Sequence, residues 1–108
     1  MQEKRASPRL QVDLNVRWKS LKSHGRGAIS DLSSSGCFVL TGGDVTAGEL
    51  VRLQISSRDR LTDVWGLIVY AISEMGFALR FVFADSVEGE ALKKRIIDLQ
   101  AVGATNVL

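Results

Sequence analysis

Apolar and polar residues alternate with a period of two along most of this chain, and that pattern restricts the fold more than any other feature. Val12, Leu14, Val16 and Trp18 alternate with Gln11, Asp13, Asn15, Arg17 and Lys19, as in a strand with one face in a core and one in water. The pattern returns at Val51, Leu53 and Ile55 within residues 50–56, and at Phe77, Leu79 and Phe81. A longer apolar run over 63–72 carries Trp65 and Tyr70, and shorter runs cover 26–32 and 37–41. Between them lie a turn-rich connection over 22–27, Gly42-Gly43-Asp44, a charged loop or hairpin over 57–60, and Ser73-Glu74-Met75-Gly76. Short strands at about ten-residue spacing, joined by glycine-bearing turns, predict a mainly-β domain, an antiparallel barrel or sandwich. A barrel is favoured because closure leaves so small a domain without exposed edges.

After residue 84 the period changes. Asp85-Ser86-Val87-Glu88 has the form of a capping box, with acid in the first turn. Leu92, Ile96 and Leu99 follow at helical spacing, with Lys93, Lys94, Arg95 and Asp98 elsewhere on the wheel. One amphipathic helix is expected over about 86–102, its apolar stripe on the barrel and Gly103 as its C-cap. Residues 103–108 read as a tail. At the other end, residues 1–10 lack periodicity, and Pro8 forbids a helix interior there. They read as a flexible basic arm leading into one folded domain over 11–102.

At 108 residues the chain suits a single core, and its 45% apolar and 24% charged content is that of a soluble globular protein. No apolar run approaches the ~18–20 residues that cross a bilayer, and no apolar stretch follows the basic N-terminus as in a secretory signal. A cytoplasmic protein without membrane insertion is expected. The lone Cys37 excludes an internal disulfide and is too little for a zinc site; in its apolar run it reads as a core thiol. Net charge is only +2, yet residues 1–26 carry seven Lys/Arg against two Asp/Glu, a balance of +5 that leaves −3 for the rest. Such a distribution suits an anionic partner. Catalysis is poorly served. His24 is the only histidine, it reads as a solvent-exposed loop residue, and neither a nucleophile elbow, a phosphate-cradling loop nor metal-ligand spacing is present. No enzyme, cofactor or metal is expected.

Binding is better served. The stretch Asp31-Leu32-Ser33-Ser34-Ser35-Gly36 packs a carboxylate, three hydroxyls and a glycine into a corner between two apolar runs. Upstream, Lys4-Arg5-Ala6-Ser7-Pro8-Arg9 offers two guanidinium groups four residues apart. Arginine donates two bonds to guanine O6 and N7, stacks on a base and pairs with phosphate. A carboxylate can accept from guanine N1–H and its amine, and Ser33 can donate to phosphate or brace the turn. Gly36 permits positive φ or close backbone approach. Arm and corner together suit one anionic, guanine-containing ligand. Taken by itself, the corner reads more readily as an ordinary Asp/Ser turn closed by glycine.

Arg5-x-x-x-Arg9 followed by Asp31-x-Ser33-x-x-Gly36 resembles the PilZ domain family, bacterial receptors for cyclic di-GMP. The likeness runs through Gly27-Ala28-Ile29-Ser30 into the corner and on through Cys37-Phe38-Val39, the strand around Trp65, Gly76-Phe77-x-x-x-Phe81 and the closing helix, from residue 4 to about 100. Either motif alone is weak; both in order are specific. The resemblance implies a six-stranded antiparallel barrel of split-barrel type with one C-terminal helix. It implies that Arg5, Arg9, Asp31, Ser33 and Gly36 bind cyclic di-GMP, with Lys4, Ser34 and Ser35 as further contacts. Lys4 can help neutralise the phosphates of a second, stacked ligand molecule, or stand solvated. The implied role is non-catalytic: binding orders the arm, and a separate protein effector reads the change, since no output domain is expected in this chain. The monomer and the homodimer both remain open. Two alternatives compete: a PilZ-like interaction module that binds no nucleotide, and a barrel for single-stranded nucleic acid. The latter needs aromatics displayed on one face, whereas Trp18, Phe38, Phe77 and Phe81 fall on core positions. No polynucleotide partner is expected.

Overall fold

The structure is a computed structural model and describes residues 10–58 and 60–103. The expected arm with Lys4, Arg5 and Arg9, the residue Asp59 in the charged hairpin, and the tail over 104–108 lie outside the described residues. Six strands precede one helix: β1 (Leu10–Lys19), β2 (His24–Leu32), β3 (Gly36–Leu40), β4 (Leu50–Ser57), β5 (Arg60–Ile72), β6 (Gly76–Val82) and α1 (Val87–Gly103). They close into a barrel in the order β1-β2-β3-β6-β5-β4, every neighbouring pair antiparallel. This is the barrel that the alternation anticipates, with one C-terminal helix.

The alternation decides what faces inward. Val12, Leu14, Val16 and Trp18 of β1 meet Val51, Leu53 and Ile55 of β4 and Phe77, Leu79 and Phe81 of β6 in one buried cluster. Cys37 is buried there too, as its apolar run implies. Trp18 packs edge-on against Phe77, ring centroids 5.5 Å apart, and its indole N–H donates to Thr41 Oγ1 at 3.0 Å, so its one polar atom is satisfied. The helix closes one end. Ile96 and Leu99 join the core and Leu92 packs against it, so the apolar stripe faces the barrel. Burying an isoleucine such as Ile96 stabilises by roughly 2 kcal/mol, which makes α1 part of the fold rather than an appendage.

Two local expectations are corrected. Residues 22–27 are not a connection throughout: β2 begins at His24, and only Ser20-Leu21-Lys22-Ser23 form the link. His24 is exposed, though at a strand end rather than in a loop. Gly25 signals a turn in isolation, but here it makes room for a neighbour: a Cβ on it would stand 2.9 Å from the Trp18 ring. The helix cap also sits one residue later than the capping box predicts. Ser86 Oγ accepts from the Gly89 amide at 3.1 Å, and with glycine at that third helical position no side chain returns the bond.

Candidate functional site

The 31–36 corner spans the end of β2, the link Ser33-Ser34-Ser35 and the start of β3, and its shape rests on Ser33. The Ser33 amide donates to the Gly36 carbonyl at 2.9 Å. Its hydroxyl oxygen accepts from the amides of Ser35 at 3.2 Å and Gly36 at 3.1 Å, while its single proton serves the Gly36 carbonyl at 3.2 Å or the Ser35 hydroxyl at 3.1 Å. The side chain folds back on its own turn, two and three residues on, in the manner of an ST-turn. Ser33 is only 1% exposed. Of the two roles open to this hydroxyl from sequence, the structure shows the brace.

Gly36 has a similar resolution. Among the described residues, positive-φ glycines occur at 48 and 76, not at 36. What Gly36 provides is proximity: a Cβ there would run into the carbonyl oxygen of Leu79 on β6. Its register partner on β6 is the exposed Arg80, and the Ser35 carbonyl accepts from the Phe81 amide at 2.8 Å. The corner is therefore stitched to β6 as well as to itself. Ser34 is half-buried and Ser35 exposed, so the outer rim of the turn faces water.

Asp31 sits at the other edge, half-buried, opposite Gln11 of β1 and Phe38 of β3. The register of β2 shifts on both sides between Ile29 and Asp31, against β3 and, at Gln11 and Leu14, against β1. A bulge at this point bends the strand and re-aims the side chain after it, a common device beside binding sites. Immediately beyond, Leu10, the first residue of β1, pairs with Leu32. The start of β1 and the corner are thus neighbours.

Sequence reasoning missed Gln100. Its side-chain amide donates to the Leu32 carbonyl at 2.8 Å, fastening the last turn of α1 to the first residue inside the corner. A signal existed: Gln100 lies four residues after Ile96, on the barrel-facing side of the helix, where a polar residue needs a partner. The structure brings Asp31, Ser33, Ser34, Ser35 and Gly36 into one feature, with Gln100 joined to it through Leu32 and Arg80 beside it. Among the described residues no cluster of His, Cys, Asp or Glu side chains could hold a metal ion, and no helix is long and apolar enough to cross a membrane.

Fold and corner define a small closed β-barrel module whose helix caps the same end as a braced polar turn. The PilZ domain profile matches residues 3–103, and the chain belongs to the PilZ domain family. Solved structures agree in fold. The chain is similar to the PilZ domain, with c-di-GMP, of YcgR from Escherichia coli at 15% identity, covering 92% of this chain and 93% of that one with a TM-score of 0.71. For the PilZ domain of CeSA from a cellulose-synthesizing bacterium the values are 17%, 87%, 99% and 0.70. Against the inhibitor of motility MotI/DgrA of Bacillus subtilis, identity is 19% and the TM-score 0.65; the match covers 93% of this chain but only 53% of that protein. No curated protein matches the sequence.

Proposed function

We propose that this protein is a receptor domain for cyclic di-GMP, in which the basic segment ahead of β1 and the 31–36 corner grip the ligand from two sides. The observation that carries the reading is the pairing of Leu10 with Leu32. Consecutive Cα atoms are about 3.8 Å apart and a chain spans at most about 3.5 Å per residue. Arg9 is therefore tethered one residue from the corner's own neighbour, and Arg5 within about 18 Å of it. Both guanidinium groups can reach a ligand lying on the corner. The solved YcgR domain, described with c-di-GMP, supports the same ligand for this fold.

The chemistry divides by residue. Arg5 and Arg9 supply bidentate donors to phosphate or to guanine O6 and N7, and planar faces that stack on a base. Asp31 accepts from the guanine N1–H and amine. Ser33 and Gly36 are positioning residues, one bracing the turn and the other letting β6 approach it. Ser34 and Ser35 line the rim, Arg80 adds a cation next to Gly36, and Lys4 serves a second stacked molecule if one binds. No catalytic step is assigned. Binding fixes the arginine-bearing segment against the corner, and a partner protein reads the surface so formed.

A calorimetric titration of cyclic di-GMP into the protein and into an Arg5→Ala/Arg9→Ala variant tests this. Saturable binding that the variant loses is expected, and a ligand-to-protein ratio of one at saturating ligand removes the stacked pair and the role of Lys4 in it. Failure of the unaltered protein to bind at saturating ligand overturns the receptor reading and leaves an interaction module.

A further inference from the structure

The end of the barrel remote from the corner carries positive charge that its own residues do not neutralise. Arg17, Lys19, Arg26 and Arg52 are exposed on the outer face of three adjacent strands, β2, β1 and β4. They form two rows. In one, Arg26 stands opposite Arg17, which stands opposite Gln54; in the other, His24 stands opposite Lys19, which stands opposite Arg52. Directly opposed side chains on antiparallel strands have Cβ atoms about 5 Å apart, and like charges so placed destabilise the pair. Relief is partial. Asp63 binds Arg52 at 3.0 Å, Glu49 accepts from the Thr46 amide of its own loop, and Asp44 stands at the margin, its carbonyl taking the Ser23 hydroxyl. Among the described residues no carboxylate is bonded to Arg17, Lys19 or Arg26. From Arg26 to Leu32 is roughly 20 Å along β2, so this face is separate from the corner.

At the same end the β1–β2 link presents an apolar side chain with nothing to cover it. Ser20 Oγ accepts from the Lys22 and Ser23 amides at 3.2 and 3.1 Å, tightening the link so that Leu21 stands fully exposed between Lys19 and Lys22. Trp65, 47% exposed, and Leu50 line a groove with Leu21, Lys19, Lys22 and Arg52.

We propose that this end of the barrel docks peripherally on an anionic lipid bilayer, its cations on headgroup phosphates and Leu21 dipping into the acyl boundary. Charge complementarity picks the occupant's sign, and the exposed leucine picks its kind. Leu21 stands fully exposed in the link between β1 and β2, which suits a fluid apolar layer beneath a negatively charged plane. A nucleic-acid strand would need several aromatics displayed among the cations to stack successive bases, whereas among the described residues Trp65 is the one aromatic exposed beside them and Trp18 is buried in the core. Trp65, with an apolar body and a polar tip, fits the interfacial level. Each arginine or lysine near an anionic leaflet raises partitioning about fivefold, and insertion of a leucine about tenfold. Neither signal alone anchors a protein stably; two together do.

The test is co-sedimentation of the full chain, without nucleotide, with vesicles of phosphatidylglycerol and phosphatidylcholine, against vesicles of phosphatidylcholine alone. Partitioning into the anionic vesicles is expected, weakening as salt rises. Arg17→Glu/Arg26→Glu is expected to cut it by at least about twentyfold, and Leu21→Ser by about tenfold, with circular dichroism confirming that both variants fold. Equal binding to both vesicle types overturns the proposal. So does undiminished binding by Arg17→Glu/Arg26→Glu, or loss of binding in an Arg5→Ala/Arg9→Ala variant alone, which would place the contact on the N-terminal segment. Indifference to Leu21→Ser removes the insertion and with it the docking geometry. Tighter, Arg17- and Arg26-dependent binding to an oligothymidylate reassigns the face to nucleic acid.

Discussion

Ser33 and Gly36 show how two residues that read as ligand contacts serve the corner first as structure. Ser33 Oγ, itself buried, is the acceptor for the buried Gly36 amide and the part-buried Ser35 amide. Ser33→Ala strands both, and leaving buried donors unpaired costs about 1–3 kcal/mol, a loss that urea unfolding will register. Ser34→Ala, on the half-exposed rim, is expected to stay within about 0.5 kcal/mol. Gly36→Ala sets two effects against each other. Where φ permits, the change gains about 0.4–1 kcal/mol by restricting the unfolded chain. Here the added Cβ meets the Leu79 carbonyl, and forcing β3 from β6 costs about 1–3 kcal/mol, so the clash wins and the midpoint falls. Any effect of either substitution on ligand affinity has to be read beside this stability loss.

The elements were legible because their signal is local, and the misplacements arise where distant residues decide. Period-two alternation marks which side of a strand is buried, so β1, β4 and β6 stand out of the sequence with their core residues. The beginning of β2 does not, since the reason for Gly25 is an indole seven residues back and across the hairpin. The site divides similarly. Asp31, Ser33 and Gly36 form a motif that reads at once, but the purpose of Gly36 depends on a β6 carbonyl, and Gln100 is linked to Leu32 across sixty-eight residues. That link makes α1 and the corner one unit. Gln100→Leu keeps helix propensity nearly constant while leaving the Leu32 carbonyl without this donor. A loss of about 1 kcal/mol in global stability is expected. Hydrogen exchange should also quicken at the Ser33 and Gly36 amides more than at β4, whereas uniform quickening would mean that the helix contributes only general packing.

On the scale of the whole molecule the barrel has two unlike ends, the corner bonded to α1 and the cationic hairpin, joined through one continuous core. With a single core and a closed sheet, unfolding is expected to be one cooperative transition, which allows ligand binding to be read as stability. A ligand that binds only the folded state, at a hundred times its dissociation constant, adds about 2.7 kcal/mol. For a domain of this size about 1 kcal/mol moves the thermal midpoint by roughly 4–8 °C, so cyclic di-GMP is expected to raise it by roughly 10–20 °C. The same titration on Arg5→Ala/Arg9→Ala separates two origins of the effect. If the arginines act only on the ligand, the unliganded midpoint is unchanged and the shift vanishes. If the unliganded midpoint falls as well, the segment ahead of β1 already stabilises the barrel, and ligand then strengthens a contact that exists without it. A shift of full size in the variant would place the nucleotide away from Arg5 and Arg9, and with it the site from which any partner could read the signal.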